Sequence, residues 1–91
     1  MKIYIATIIE KTFDGDMYVT TFCATTYQAL AKKVENSLAR EEADRDITIS
    51  RNTPDILLAC EKGNQYSRPL TMVNTEDRDN EFYLSTTVEE V

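Results

Sequence analysis

Residues 26–43 have the apolar periodicity of an α-helix, and the segments on both sides have the composition of β-strands. Apolar side chains recur every three or four positions, at Tyr27, Leu30, Ala31, Val34 and Leu38. This spacing places them on one helix face, which is expected to pack on a sheet. Thr25 is expected to cap the helix, with Gln28 three residues on as in a capping box. The pattern predicts an α+β fold with one principal helix.

Residues 2–24 are predicted to form an N-terminal β-hairpin. Strand-forming residues flank Asp14-Gly15, a pair that tolerates the positive φ angles of a tight turn. A two-residue loop would place one set of side chains on one face: Ile5, Thr7, Ile9, Thr20, Phe22 and Ala24. The other face would hold the remaining set: Tyr4, Ala6, Ile8, Thr21 and Cys23. Both faces are largely apolar, so we expect a central strand or a second cover, such as another copy of the chain.

The middle of the chain predicts one short strand and one segment with two interpretations. Residues 46–50 alternate apolar and polar side chains, as a half-buried strand does. Residues 54–62 follow Thr53, a candidate helix cap, and precede Gly63, a typical helix stop. The apolar run inside them also fits a buried strand, so helix and strand both stay open at this point.

The last third of the sequence predicts two more strands. Residues 66–73 look extended, with Pro69 favouring a sheet edge or a bulge. Residues 74–80 contain no apolar side chain and predict an exposed acidic loop, and residues 81–88 alternate as a final amphipathic strand. We therefore expect a single domain over residues 1–88, built on an antiparallel sheet of about five strands, with residues 89–91 frayed.

The composition argues against most catalytic chemistry. The 91 residues include no His, which removes the usual general base and the commonest metal ligand. The two glycines stand alone, so no phosphate-binding glycine loop is possible. Cys23 and Cys60 are expected to be free in a reducing compartment. No export signal or membrane-spanning apolar run is present, so we expect a cytoplasmic protein that is not an enzyme and needs no cofactor or metal.

The negative charge is concentrated at the end of the sequence. Residues 76–91 hold six acids and one base, a net charge of 1 − 6 = −5, whereas residues 1–75 hold nine bases and ten acids, or 9 − 10 = −1. A local negative field of this kind favours a basic partner. We identify Glu76, Asp77, Asp79 and Glu81 as the acidic part of a candidate partner-binding site. Tyr66 and Tyr83 are added as interface anchors because tyrosine is enriched at protein interfaces.

The hairpin that runs into Thr25-Thr26-Tyr27-Gln28-Ala29-Leu30, together with the acidic cluster at 76–81, resembles small acidic proteins that phages use to inhibit host restriction, CRISPR or repair nucleases. The resemblance implies an inhibitor that binds a basic, nucleic-acid-binding protein surface and neither nucleic acid nor membrane directly. Because residues 1–75 are nearly neutral, the implied mimicry of nucleic acid is local. The alternative hypothesis is a structural or assembly protein that forms a homodimer or small oligomer through its sheet.

Overall fold

The computed structural model describes residues 1–64, 70–74 and 80–91, which form two helices and one antiparallel sheet. The elements follow in the order β1 (Lys2–Lys11), β2 (Met17–Ala24), α1 (Tyr27–Arg45), β3 (Ile49–Ser50), α2 (Thr53–Lys62), β4 (Leu70–Asn74) and β5 (Glu81–Glu90). The strand order across the sheet is β2-β1-β5-β4-β3, and each neighbouring pair is antiparallel. The predicted α+β class, the N-terminal hairpin and the principal helix are confirmed.

The hairpin is present, but the predicted register is wrong by one residue. Ala24 pairs with Tyr4, and Met17 pairs with Lys11 at the loop. Gly15 donates its N–H to the Thr12 carbonyl and has φ of 92°, and the Thr12 N–H donates to the Asp16 carbonyl. These bonds define a three-residue loop with a glycine bulge, in place of the two-residue loop expected from Asp14-Gly15.

The extra loop residue moves every β2 side chain to the opposite face. One face now combines six residues that lie toward the helices: Tyr4, Ala6, Ile8, Thr20, Phe22 and Ala24. The other face carries Ile5, Thr7, Ile9, Val19, Thr21 and Cys23.

Helix α1 buries the predicted apolar stripe. Leu30, Ala31, Val34 and Leu38 are buried, and the Tyr27 ring packs edge-on against Tyr4 with centroids 6.0 Å apart. The cap differs from the prediction, because the Thr26 side chain, and not that of Thr25, accepts the Ala29 N–H at 3.2 Å. A capping box needs Glu or Gln three residues after the N-cap, and this position is occupied by Ala29, so Gln28 does not complete a capping box. Asp46 ends the helix in the left-handed region with φ of 52°.

Residues 53–62 form a helix, which settles the segment that the sequence left open. Asn52 is the N-cap and accepts the Asp55 N–H at 3.0 Å, so the cap lies one residue before Thr53. Gly63 ends α2 with φ of 78°, as its position predicts. Ile56, Ala59 and Cys60 face the core, whereas Leu57 and Leu58 are exposed.

The core lies in a single layer between the helices and one face of the sheet. Its sheet side is built from Ala6, Ile8, Met72, Phe82 and Leu84, all buried. Both helices cover this face.

A buried polar cluster joins the end of α2 to the middle of β5. Strand β4 pairs with β5 only from Leu84 back to Glu81, so the same edge of β5 beyond Leu84 needs other hydrogen-bond partners. Asn64 supplies them: its side chain donates to the Leu84 carbonyl at 3.0 Å and accepts the Thr86 N–H at 2.6 Å. Its own N–H donates to the Thr86 carbonyl at 2.9 Å. Asn64 thus continues the hydrogen-bonding pattern of the sheet where β4 does not reach.

Two predicted boundaries differ from the structure. The third strand comprises only Ile49–Ser50, because α1 continues to Arg45 and is followed by its cap. The last strand continues past Val88: Glu89 and Glu90 pair with Ile3 and Lys2, where the sequence predicts fraying. The extended segment at 66–73 is a strand from Leu70 on, and its earlier residues, with Pro69, lie outside the described ranges, as do residues 75–79 of the predicted acidic loop.

Candidate protein interface

The sheet face that points away from the helices has no cover among the described residues, and we call it the open face. Its residues come from alternate positions of β1, β2 and β5, with Thr71 of β4. They are Ile3, Ile5, Thr7, Ile9 and Lys11 of β1, Met17, Val19, Thr21 and Cys23 of β2, Thr71 of β4, and Glu81, Tyr83, Ser85, Thr87 and Glu89 of β5. Met17 and Val19 are 59% and 58% exposed. An apolar centre with a polar border is typical of a protein-binding surface.

Glu81 and Tyr83, two of the predicted site residues, lie on the open face. The Tyr83 hydroxyl donates a hydrogen bond to the Glu81 carboxylate, and this bond raises the pKa of Tyr83 above its ordinary value. Lys11 is the cross-strand neighbour of Glu81, and Lys2 is that of Glu90. The acids of β5 are therefore partly balanced by β1. The other four predicted residues, Tyr66, Glu76, Asp77 and Asp79, lie outside the described residues.

The outer edge of β2 is a second candidate surface. Hydrogen-bonded and non-hydrogen-bonded residue pairs alternate along an antiparallel ladder. The Thr12 N–H donates to the Asp16 carbonyl at 2.9 Å, which identifies the β2 residues whose backbone groups bond to β1. The N–H and carbonyl groups of Met17, Val19, Thr21 and Cys23 must consequently point away from β1. The Lys33 ammonium donates to the Cys23 carbonyl at 2.7 Å, as an outward-pointing carbonyl allows. No strand among the described residues pairs with this row of backbone groups, and we call it the free edge.

A groove of about 550 Å³ lies between the helix side of the free edge and α1. Thr20 and Phe22 form its strand wall, and Lys33, Ser37 and Arg40 lie on its helix wall. Tyr18 of β2 lies outside this groove, near Glu41 and Arg45, and is 59% exposed.

Next to this groove, an ion pair joins β1 to the last turn of α1. The Arg45 guanidinium lies 2.8 Å from Glu10 and 3.3 Å from Glu41, and it stacks 5.9 Å from the centre of the Phe82 ring. The Glu10 side chain is only 12% exposed. A cavity of about 70 Å³ adjoins it, lined in part by Ile8 and Leu38. The arrangement is that of a structural contact between helix and sheet, and sequence reasoning did not identify it because its residues are 35 positions apart.

The described residues offer little for catalysis. Cys60 is buried, and burial raises the pKa of its thiol to about 11, so the reactive thiolate is disfavoured at neutral pH. Within the described ranges, no three side chains of His, Cys, Asp or Glu come together as metal ligands. In the same ranges, neither helix is long and apolar enough to cross a membrane.

Three comparisons, with protein-family models, with curated proteins and with solved structures, each returned no match to this chain.

Proposed function

We propose that this protein is a small protein-binding module that docks its open face on a basic protein surface. The observation that supports the proposal is the face itself: isoleucines at Ile3, Ile5 and Ile9 are only half-buried, although the helices enclose a complete core on the other side. A partner that covers the face would remove this apolar surface from water, at roughly 25 cal/mol per Å².

Charge determines which partner fits. Glu81 and Glu89 lie on the open face at opposite ends of β5, and the three acids at Glu76, Asp77 and Asp79 directly precede this strand in the sequence. A partner with lysines or arginines around an apolar patch is complementary to this arrangement.

Proteins that bind nucleic acid carry such basic surfaces to receive phosphates. An acidic module bound there competes with the nucleic acid, so the expected effect on the partner is inhibition. The module is expected to act without catalysis of its own and without a cofactor.

The test is capture of a partner from a native host lysate by three forms of the protein. One is wild type, and one has Glu76, Asp77, Asp79 and Glu81 changed to Gln or Asn. The third is a matched control that loses the same amount of charge elsewhere, at the exposed positions Asp16, Asp44, Asp55 and Glu61.

We expect wild type and the control to retain the same basic protein, identified by mass spectrometry, and the first variant to lose it. Added duplex DNA and raised salt should release it from wild type. Equal capture by all three forms, or equal loss from both variants, would show that Glu76, Asp77, Asp79 and Glu81 have no special role.

A further inference from the structure

Strand β2 contains none of the residues by which proteins prevent edge-to-edge pairing, although one outward-pointing carbonyl, that of Cys23, accepts a hydrogen bond from Lys33 of α1. Such edges commonly carry a lysine, a proline or an inward-pointing charge. Residues 17–24 contain no charged residue, no proline and no glycine. Besides Tyr18, the strand consists of apolar residues and threonines, and all eight side chains are exposed or half-buried. The edge is thus a template for another strand.

The outward-pointing groups of the free edge are self-complementary about a two-fold axis. If Thr20 lies opposite Thr20 of a second copy, Val19 lies opposite Thr21 and Met17 opposite Cys23. These are the residues whose N–H and carbonyl groups point outward, so each meets another outward-pointing residue. Tyr18 then lies opposite Phe22 of the second copy on the helix side, where Tyr18 is 59% exposed and Phe22 lines the groove.

The charges of α1 fit the same arrangement. Lys33 lies beside Cys23, and Glu41 lies beside Tyr18, so α1 runs antiparallel to β2. Pairing Tyr18 with Phe22 brings Glu41 of one copy to the level of Lys33 of the other, twice in each dimer. The acidic strand β5 takes no part in the contact, because β1 lies between β5 and β2 in the sheet.

We propose that two copies of this chain pair β2 to β2 as a two-fold dimer centred on Thr20, which joins the two sheets into one. The contact uses an edge and not a face, so the open faces of both copies remain available side by side. The dimer is independent of the proposed binding of a basic partner.

The first test is disulfide trapping in the full chain with Cys23 changed to Ser. In the Thr20→Cys variant the new cysteines are directly opposite in a non-hydrogen-bonded pair, with Cα atoms about 4.5 Å apart, within the range of a disulfide. In the matched Thr21→Cys variant they are displaced by two residues, about 7 Å along the strand, and beyond that range. Mild oxidation should trap most of the first variant as a covalent dimer and little of the second.

Equal trapping of the two variants, or no trapping of Thr20→Cys, would overturn the register. Wild type should show about twice its chain mass of 10.4 kDa by light scattering at concentrations where trapping is efficient. A monomer under those conditions would overturn the dimer itself.

The second test exchanges the charges of Glu41 and Lys33. Glu41→Lys alone or Lys33→Glu alone places like charges across the contact and should weaken dimerisation about fivefold. The double variant restores both pairs and should return the dissociation constant to that of wild type. A double variant that dimerises as poorly as the two single changes combined would exclude the proposed contact.

Discussion

Arg51 joins α1 to β3. Its guanidinium lies 2.9 Å from Glu35 and 3.0 Å from Glu42, and it donates to the Ile49 carbonyl at 2.9 Å. The Arg51 side chain is only 16% exposed, so these partners compensate for its removal from water. The sequence did not predict the cluster. The helical period shows only that Glu35 and Glu42 lie away from the apolar stripe of α1, and it does not show which residue they contact.

Glu42→Gln should lower stability in a pH-dependent way. The Glu42 carboxylate accepts the Ile49 N–H and lies beside Arg51, and these contacts lower the pKa of Glu42 below its ordinary value. A lowered pKa in the folded state stabilises the fold above the unfolded pKa, and this contribution is lost as the pH falls. At pH 7 the variant should lose about 1 kcal/mol of unfolding free energy, and the difference from wild type should shrink below about pH 4.

Urea unfolding at several pH values measures this difference. The control is Glu61→Gln on α2, an exposed position with no ion-pair partner among the residues that the structure describes. A constant difference between wild type and Glu42→Gln from pH 7 to pH 3 would contradict the account.

Among the elements, α1 could be predicted from sequence because its apolar stripe has the helical period over its whole length. The hairpin register could not be, because Asp14-Gly15 fits both a two-residue loop and the observed loop with its bulge at Gly15. The choice between them depends on which face α1 covers, which is a tertiary contact. Residues 54–62 were ambiguous for a similar reason: a short apolar run suits either element until its partners are known.

The candidate site was only partly predictable from sequence. The alternation of β5 correctly puts Glu81 and Tyr83 on one side of a strand, and the structure adds that this side is uncovered. The free edge of β2 could not be recognised, because strand order is determined by the pairing of β1 with β5, whose partners lie 70 (Lys11–Glu81) to 88 (Lys2–Glu90) positions apart along the chain.

The hairpin loop depends on the conformation of Gly15, so Gly15→Ala should destabilise the protein. Gly15 has φ of 92°, and no atom lies within 4 Å of the place a Cβ would occupy, so the cost is backbone strain alone. We expect a loss of about 1 kcal/mol. Gly15→Asn should cost less, because asparagine adopts positive φ more readily. Thermal unfolding of the three proteins should rank them Gly, Asn, Ala, and an alanine variant as stable as wild type would contradict the loop conformation.

On the scale of the whole molecule, the described chain has two layers, with both helices on one side of a sheet. A small domain of this kind completes its core on one face only. The other face then keeps half-buried isoleucines beside the acidic strand β5.

Methyl NMR of the isoleucines, during titration with the basic partner recovered by capture, reports whether the partner covers the open face. Ile3, Ile5 and Ile9 lie on the open face, whereas Ile49 and Ile56 are buried on the helix side and serve as controls in the same sample. Docking through the open face should give large shifts or broadening for the first three signals and little change for the other two. Binding that leaves the signals of Ile3, Ile5 and Ile9 unchanged would contradict it.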